Sequence, residues 1–497
     1  MNIKINKKEY AAKDGETIFV ACLRNGIKIP TLCGTKNSHE GVCRICVVEN
    51  NGRLITSCNT KISEGMEIVT ESENISKARR INLELLWADH AGKCVTCKKN
   101  QKCELQNLAT EQKIENFHFI PRKEELTDRE NLDLLKDNRT RVVVDEGNAC
   151  ISRTTELCVE CRRCINVCPT KELSFNHRAG DVVVGTPYEK PLDCIFCGQC
   201  VKDCPTGALT DKNDLLEIIG QLNDLKKMAV ALIDPAIMDS VAFEQEEITS
   251  QRKLIATLQS LGFEKVFDLG FGMELALEKM TQVVKNSTKN NLMLSHCPSF
   301  NLFIEKYYPQ FRKNIIDVTH PDELMAEFIK TEYAKKEKIN PEDLMVVSIS
   351  SCVAKKTPVK SSSPSEISKG GEAYFTGQAG SPMAKFDGVK NLDYVITVRE
   401  LGWIIRQQKI KFEDIGNADF NSGLAVKNEK IKDIIKAGKT AEMIAEKLKV
   451  KYIVADGVPQ IKNILRDLDK GRVETKIIEA MVCDGGCVNG GGQARQI

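Results

Sequence analysis

Cysteine is the residue type that points most directly to chemistry in this sequence. The 497 residues include 21 cysteines, an odd number, and most of them stand in tight groups. Disulfide scaffolds are usually short secreted chains, so tight groups in a chain of this length indicate metal ligation. Thiolates bind both iron–sulfur clusters and zinc, and the spacing within each group has to decide between them.

The clearest pattern is a motif that occurs twice, 36 residues apart. CVECRRCINVCP begins at residue 158 and CIFCGQCVKDCP at residue 194, and both read C-x2-C-x2-C-x3-C-P. This spacing is typical of two-cluster bacterial ferredoxins, in which the fourth cysteine of each motif binds the other 4Fe–4S cluster, and zinc fits it poorly. The expected ligands are Cys158, Cys161, Cys164 and Cys204 for one cluster, and Cys194, Cys197, Cys200 and Cys168 for the second. Cys150 lies outside every group and is expected to be a spare thiol.

A second cysteine group lies near the N-terminus, after a segment that predicts two short strands and a helix ending at Gly26. Its members follow the spacing C-x9-C-x2-C-x11-C: Cys33, Cys43, Cys46 and Cys58. Zinc is an alternative here, although zinc ribbons usually offer two CxxC pairs and this group has one. The group resembles the β-grasp 2Fe–2S domain of FeFe-hydrogenases and of the large iron–sulfur subunit of complex I. Cys22, on the apolar face of the predicted helix, is expected to be a core residue.

A third group combines a histidine with cysteines in DHAGKCVTCKKNQKC. The spacing H-x3-C-x2-C-x5-C joins His90 to Cys94, Cys97 and Cys103. It is similar to the 4Fe–4S site with one histidine and three cysteines in the same two families. Because neutral imidazole replaces one thiolate, such a cluster carries less negative charge and should have a raised reduction potential.

From about residue 211 the sequence alternates predicted helices with short apolar runs, which is typical of α/β structure with buried parallel strands. Four cysteines remain in this part: Cys297, Cys352, Cys483 and Cys487. Three of them directly follow predicted strands, where open α/β sheets place ligand sites. The alternative is that all four are buried structural cysteines. The glycines of MVCDGGCVNGGG at 481–492 permit close approach of backbone, as a cofactor-binding loop requires.

Three segments of this last part resemble the loops that bind the H-cluster in FeFe-hydrogenases: SHCP at 295–298, SCVAKK at 351–356 and EAMVCDGGCVNGGG at 479–492. The resemblance implies that the four cysteines hold a 4Fe–4S subcluster. It implies further that Cys487 bridges to a diiron unit bearing CO, cyanide and an azadithiolate. Lys355 matches a lysine that donates to a cyanide ligand, and Met481 matches a methionine beside the diiron unit.

The sequence departs from the family where protons are delivered. His296 stands where the family has a proton-passing cysteine, and could either carry protons or be a neutral histidine without a catalytic part. Met280 and Ile316 fall at relay positions expected to be glutamate and serine. A Thr-Gly-Gly segment expected after 421–426 is absent, and a Ser/Gly-rich stretch at 361–383 is interpreted as a flexible loop. Four other positions also differ from the residues that the family has there: Ser350, Ser351, Pro358 and Phe300.

These observations predict an α/β and α+β multidomain protein. The expected domains are a β-grasp 2Fe–2S domain (1–78), a histidine-ligated 4Fe–4S segment (79–140), a two-cluster ferredoxin domain (141–210) and a two-lobed α/β H-cluster domain (211–497). The net charge of +2 gives no support to a nucleic-acid or polybasic membrane role. The N-terminus has no apolar segment of signal-peptide length, and no stretch approaches 18 uninterrupted apolar residues, so a cytoplasmic protein is expected.

The predicted function is that of an iron–sulfur oxidoreductase that passes electrons to an H-cluster-type site, with an impaired proton relay. One alternative is an electron-transfer subunit that keeps only the 4Fe–4S part of that site, and another is a hydrogen sensor. The sequence has no Gly-rich phosphate-binding loop. Nucleotide chemistry would therefore reside on a partner, and a flavin- or NAD(P)-binding subunit or ferredoxin within a hetero-oligomer is expected.

Overall fold

The computed structural model describes residues 2–35, 40–88, 90, 93–114, 119, 144–145, 148–154, 157–178, 181–185, 194–212, 215–224, 226–357, 391–421, 424, 426 and 428–495. The chain forms two compact units. The first comprises residues 1–146, 152–192 and 203–210, and the second comprises 147–151, 193–202 and 211–497. Among the helices that these residues form, none combines the length and the apolar composition that a membrane crossing requires.

The first unit opens with a five-stranded mixed sheet in the order β2-β1-β5-β3-β4. The strands are β1 (Asn2–Ile5), β2 (Lys8–Ala11), β3 (Val47–Asn50), β4 (Arg53–Thr56) and β5 (Glu67–Val69). The helix Ile18–Arg24 begins after Thr17, whose hydroxyl accepts a hydrogen bond from the backbone N–H of Val20. It ends before Gly26, which has a φ of +73°. The predicted order of two strands and a helix ending at Gly26 is confirmed.

Apart from one helix of 16 residues, the other described elements before residue 212 are short. The helix Glu73–Ala88 packs against the helix Glu104–Glu111 in the first unit. Two five-residue helices, Arg163–Val167 and Gln199–Asp203, lie within the two repeated cysteine motifs. The remaining strands are β6 (Val144–Asp145), β7 (Ile151–Thr154), β8 (Ser174–Arg178), β9 (Asp181–Gly185) and β10 (Leu209–Asp211).

The second unit contains a four-stranded parallel sheet in the order β12-β11-β14-β15. Its strands are β11 (Met228–Ile233), β12 (Lys265–Asp268), β14 (Leu344–Ser350) and β15 (Tyr394–Thr397). Every residue of β14 is buried, because helices cover both faces of the sheet and the LMVVSIS run packs on each side. Strands β11 and β14 pair in register from Met228↔Leu344 to Ile233↔Ile349, so they end side by side.

A second parallel sheet, in the order β13-β17-β16, completes the core of this unit. Its strands are β13 (Leu292–Met293), β16 (Tyr452–Asp456) and β17 (Ile477–Met481). Seven apolar runs after residue 211 predict strands, and all seven form them: MAVALID, KVFDLG, NLMLS, LMVVSIS, DYVITV, YIVAD and TKIIEAM. The described strands in both sheets are parallel, as predicted. The Ser/Gly-rich stretch at 361–383 and Pro358 lie outside the described residues.

Helices surround the two sheets and set the loops between them. The α-helices of this unit beyond residue 212 are Leu215–Leu222, Met238–Glu244, Gln251–Ser260, Gly270–Asn286, Pro298–Tyr307, Pro321–Phe328, Ala334–Glu337, Val398–Gln407, Lys439–Leu448 and Val458–Asp469. A π-helical turn, Ile329–Tyr333, joins two of them, and short 3-10 turns include Pro235–Ile237, Val353–Lys356 and Cys487–Asn489. The loops that carry the last four cysteines leave the carboxyl ends of the strands.

Candidate cluster-binding sites

The N-terminal cysteine group converges inside the first unit. Cys33, Cys43, Cys46 and Cys58 are all buried in one hydrophobic core. The thiol of Cys33 interacts with those of Cys43 and Cys58, which lowers its pKa, and Cys46 interacts with Cys58. The backbone N–H of Leu32 also donates to the sulfur of Cys43, at 3.5 Å. Four mutually close sulfurs with a backbone donor are a donor set that fits a 2Fe–2S cluster.

The histidine-containing group lies further along the same unit. His90 is buried, and its backbone N–H donates to the carbonyl of Trp87 at 2.9 Å. Burial raises the pKa of Cys103 to about 11, and the nearby charge of Cys97 adds to this. Burial followed by the charge of Cys97 also raises the pKa of Cys94. The three cysteines therefore face one another, as ligands of one cluster would.

This group packs against the fourth cysteine of the second ferredoxin motif. The sulfur of Cys103 lies 3.6 Å from the carbonyl oxygen of Pro205, which also accepts the backbone N–H of Glu104 at 3.0 Å. A Cβ at Gly207 would lie 2.5 Å from the sulfur of Cys97, so only glycine fits there. The structure thus brings the histidine-containing group next to the loop of Cys204.

The first ferredoxin group is assembled within the first unit. Burial raises the pKa of Cys161 and of Cys164, and the charges of Cys204 and Cys158 add to it for both thiols. Sulfurs from the two sequence motifs are therefore close in space. The repeat predicts a crossed arrangement of ligands of this kind, and these four sulfurs fit a 4Fe–4S cluster.

A buried ion pair ties this group to the preceding one. The guanidinium of Arg163, beside Cys164, is 1% exposed and contacts both carboxylate oxygens of Glu104, at 2.8 and 2.9 Å. Glu104 directly follows Cys103. Because a bidentate pair fixes direction as well as distance, it sets the position of the two ligand loops relative to each other.

The second ferredoxin group is divided between the units. Cys194, Cys197 and Cys200 belong to the second unit, whereas Cys168, which follows the helix Arg163–Val167, belongs to the first. Within the second unit, the carbonyl of Cys194 accepts a hydrogen bond from Lys306 Nζ at 2.9 Å. Lys306 lies near the end of the helix that begins directly after Cys297.

The last four cysteines come together at the carboxyl ends of strands from both sheets. Cys297 follows β13, Cys352 follows β14, and Cys483 follows β17, as predicted. Burial raises the pKa of each of these three thiols to about 11, and the charge of another member of the group adds to each shift. Burial raises the pKa of Cys487, and the charges of Cys352 and Cys297 also raise it. The four thiols are one group and not scattered structural cysteines.

The glycines after Cys487 close this site. A Cβ at Gly490 would lie 2.2 Å from the carbonyl oxygen of Ser351, and one at Gly491 would lie 2.0 Å from that of Cys197. Gly492 donates its backbone N–H to the carbonyl of Ser351 at 2.7 Å. The loop can therefore lie against two other cysteine loops only because it has no side chains there.

Two side chains connect the second ferredoxin motif to this site directly. The amide nitrogen of Gln199 donates to the sulfur of Cys483 at 3.2 Å and to the carbonyl of Asn489 at 3.0 Å. Lys202 Nζ donates to the same carbonyl at 3.2 Å. Gln199 and Lys202 lie on the short helix that contains Cys200.

Lys355 lies beside this group and is held by two carboxylates that the sequence did not single out. Its Nζ is 3.3 Å from Asp234 Oδ2 and 3.0 Å from Asp322 Oδ2. His320 Nδ1 is 2.9 Å from the same oxygen of Asp322. Two features of the sequence could have indicated these contacts. Asp234 directly follows a buried strand, and Ser348 is a polar residue within an apolar run. The hydroxyl of Ser348 donates to Asp322.

The residues at the expected proton-relay positions do not have the surroundings of a proton relay. His296 is nearly buried, and its Nε2 lies 3.4 Å from Oε1 of Glu479, a fully buried residue of β17 that the sequence also did not single out. Met280 and Ile316 pack in one hydrophobic cluster. Met481 is buried at the end of β17. The interrupted proton path inferred from the sequence stays a prediction, and the apolar packing of Met280 and Ile316 is consistent with it.

The residues at the last site fit one of the two expected cofactors and not the other. Four close thiols between glycine-rich loops fit a 4Fe–4S cluster at the last site. A diiron unit with anionic cyanide ligands does not fit the residues beside it, because the lysine that would face it already contacts two buried carboxylates. Within the described part of the chain, no three His, Cys, Asp or Glu side chains converge as ligands of a single metal ion would.

Comparison with known families matches four segments of the chain. The family described as "Iron only hydrogenase large subunit, C-terminal domain" matches residues 227–491. A "2Fe-2S iron-sulfur cluster binding domain" matches residues 1–73, and the "NADH-ubiquinone oxidoreductase-G iron-sulfur binding region" matches residues 79–118. A "4Fe-4S dicluster domain" matches residues 157–208.

Similar proteins cover almost the whole chain. "Iron hydrogenase 1" of Clostridium pasteurianum is 27% identical over 99% of this chain and 88% of its own length. "NADP-reducing hydrogenase subunit HndD" of Solidesulfovibrio fructosivorans is 29% identical over the same shares. A solved FeFe-hydrogenase structure from Chlamydomonas reinhardtii is 19% identical, with a TM-score of 0.43, and covers 57% of this chain and 85% of its own.

Proposed function

Since this chain belongs to the iron-only hydrogenase family and is an iron–sulfur oxidoreductase of that type, we propose that it carries electrons along a series of clusters that ends at Cys297, Cys352, Cys483 and Cys487. The observation that supports this most is the contact of Gln199 with Cys483. Through it, the loop of the second ferredoxin motif abuts the last cysteine site within one unit. Adjacent ligand loops place their clusters close together, as electron transfer requires.

The clusters proposed are one 2Fe–2S and four 4Fe–4S. They belong to the domains bounded at residues 78, 140 and 210, with a β-grasp fold for the first domain and two α/β lobes for the last. Contacts within the first unit support the order of the clusters. Glu40, near Cys43, accepts hydrogen bonds from Arg162 at 3.3 Å and Asn166 at 2.9 Å, and Glu104 pairs with Arg163.

Electrons enter from a partner that binds flavin or NAD(P). The N-terminal 2Fe–2S domain and the His90 group support this, because similar segments belong to NADH-linked proteins. The relative HndD is itself named as a subunit of an NADP-reducing hydrogenase. Anaerobic purification from the native host with a tag on this chain should recover such a subunit. A monomer that is fully active with free ferredoxin would contradict the partner proposal.

Hydrogen turnover at the last site is the competing function. The positions of Lys355 and Met481, which match the family, favour it. The contacts of Lys355 with two carboxylates and the apolar positions of Met280 and Ile316 oppose it. We therefore expect hydrogen evolution from reduced viologen to be slow or absent. Rapid evolution by protein exposed to a synthetic diiron complex would contradict this expectation.

Iron content tests the main proposal. One 2Fe–2S and four 4Fe–4S clusters correspond to about 18 iron atoms per chain. Anaerobically reconstituted protein should contain that amount, and Cys297→Ser should remove one 4Fe–4S signal from the electron paramagnetic resonance (EPR) spectrum while leaving the others. Cys22→Ser, at a core cysteine outside every group, is the matched control and should lose none. Substantially less iron, or stoichiometric zinc, would refute the cluster assignment.

A further inference from the structure

Lys355 is a buried charged residue beside the last cysteine site that pairs with two carboxylates. Its side chain is 7% exposed, and the two carboxylates that it contacts, Asp234 and Asp322, are each 2% exposed. Burial alone would lower the pKa of Lys355, but the charges of Asp322 and Asp234 outweigh this and raise it. The ammonium group is therefore charged near pH 7 and pairs with both carboxylates.

Further hydrogen bonds hold each carboxylate in place. Asp234 follows β11, and its Oδ1 accepts the backbone N–H of Ala236 at 2.9 Å. Its Oδ2 accepts the hydroxyl of Ser351 at 3.1 Å, beside Cys352. Asp322 lies in the first turn of the helix Pro321–Phe328 and accepts the hydroxyl of Ser348. Neither group can turn away from Lys355 without losing these bonds.

The cluster as a whole is anionic. Burial would raise the pKa of Asp322, but the charge of Lys355 and the contacts with His320 outweigh it, and the pKa falls well below its usual range. Burial lowers the pKa of His320 despite the neighbouring Asp322, which favours the neutral imidazole. Two carboxylates then face one ammonium group, and a net negative charge remains in a buried place.

This negative charge faces Cys487. The 3-10 turn Pro235–Ile237, which directly follows Asp234, packs against the 3-10 turn Cys487–Asn489. These groups therefore stand on the side of the site where the family resemblance puts the diiron unit. Cyanide ligands are anionic, and a like charge in a place of low dielectric is strongly unfavourable.

We propose that the Asp234–Lys355–Asp322 cluster excludes a cyanide-bearing diiron unit, so that the last site of this chain takes a 4Fe–4S cluster alone. The inference rests on the proposed function only in assuming that the four cysteines hold that cluster. Admitting the diiron unit would require Lys355 to leave two buried carboxylates without a counterion, which is costly. The cluster of charges thus acts by occupying Lys355, a buried donor beside the last cysteine site.

Uptake of a synthetic diiron complex tests the inference. Reconstituted full-length protein is incubated anaerobically with a complex that bears azadithiolate, CO and cyanide, and is then freed of excess complex. Infrared bands of CO and cyanide and the iron gained per chain are the readouts. The wild type should show no stoichiometric bands. The double variant Asp234→Asn, Asp322→Asn should take up roughly tenfold more complex or better, because it removes both like charges and keeps the side-chain shapes.

The neighbouring ion pair supplies a matched control. Lys356 Nζ lies 2.8 Å from the buried carboxylate of Glu400, so Glu400→Gln removes one buried carboxylate paired with a lysine without touching Lys355. This variant should take up no more complex than the wild type. The EPR signal of the last 4Fe–4S cluster reports whether each variant is folded, and Asp322→Asn alone replaces the double variant if that signal is lost.

Two results would overturn the inference. One is stoichiometric binding of the complex by the wild type. The other is an Asp-to-Asn variant that keeps its 4Fe–4S signal and still gains no bands, because the charges would then not be the cause. Neither result changes the number of clusters, so a failure here is distinct from an iron content that refutes the proposed function.

Discussion

Gly491→Ala should separate the last cysteine site from the loop of the second ferredoxin motif. A Cβ at Gly491 would lie 2.0 Å from the carbonyl oxygen of Cys197 and 2.5 Å from the carbonyl carbon of Gly198. Both are backbone atoms, so no rotamer change relieves the contact. Reaching 3.0 Å, below which Cβ contacts essentially do not occur, requires one loop to move by about 1 Å.

The cost of this movement follows from what the loop holds. Overpacking typically destabilises by about 1–3 kcal/mol, and the upper end applies when backbone has to shift. The shift would also draw Cys487 away from its three partners and weaken the 3.2 Å contact of Gln199 with Cys483. We expect the variant to fold but to bind about four iron atoms fewer than the wild type, through loss of the last cluster.

The assay is iron content and EPR of anaerobically reconstituted protein, with thermal unfolding as the stability measure. Gly416→Ala is the matched control, because its Cβ would meet nothing within 4 Å and its backbone conformation suits alanine. It should match the wild type in every measurement. Full iron content and an unchanged spectrum of the last cluster in Gly491→Ala would refute the reasoning from close approach.

Three further predictions concern the rest of the chain. Arg163→Met leaves the carboxylate of Glu104 without its guanidinium and should lower the free energy of unfolding, measured by urea titration, by about 3–5 kcal/mol. Arg252→Met, at an exposed ion pair, is the control and should lower it by less than about 1 kcal/mol. Equal effects of the two changes would contradict the role of burial. His90→Cys adds a thiolate to its cluster and should lower its reduction potential in an EPR-monitored titration, and an unchanged potential would remove His90 from the ligand set. Cys22→Ala should leave iron content unchanged, because the thiol lies in the core, and any loss of iron would show that it is a ligand.

Local spacing in the sequence was enough to predict the cysteine groups and the strands. Two residues separate Cys158 from Cys161 and Cys161 from Cys164, so the backbone between these predicted ligands has few conformations and the pattern specifies the geometry. The strands could also be predicted from the sequence, because a buried parallel strand such as Leu344–Ser350 must be apolar on both faces. The order of cysteines after strands then predicted where the last site forms.

The surroundings of the last site depended on the tertiary structure. Asp234, Asp322 and Lys355 are far apart in sequence, and they meet because β11 and β14 are neighbours that end side by side, with the helix of Asp322 against them. Likewise, Glu479 faces His296 because β17 pairs with β13, the strand that leads into His296. Strand order is set by packing between distant segments, and no local pattern records it. The sequence thus predicted which residues form the cysteine groups, whereas the fold determined which charges stand beside the last group.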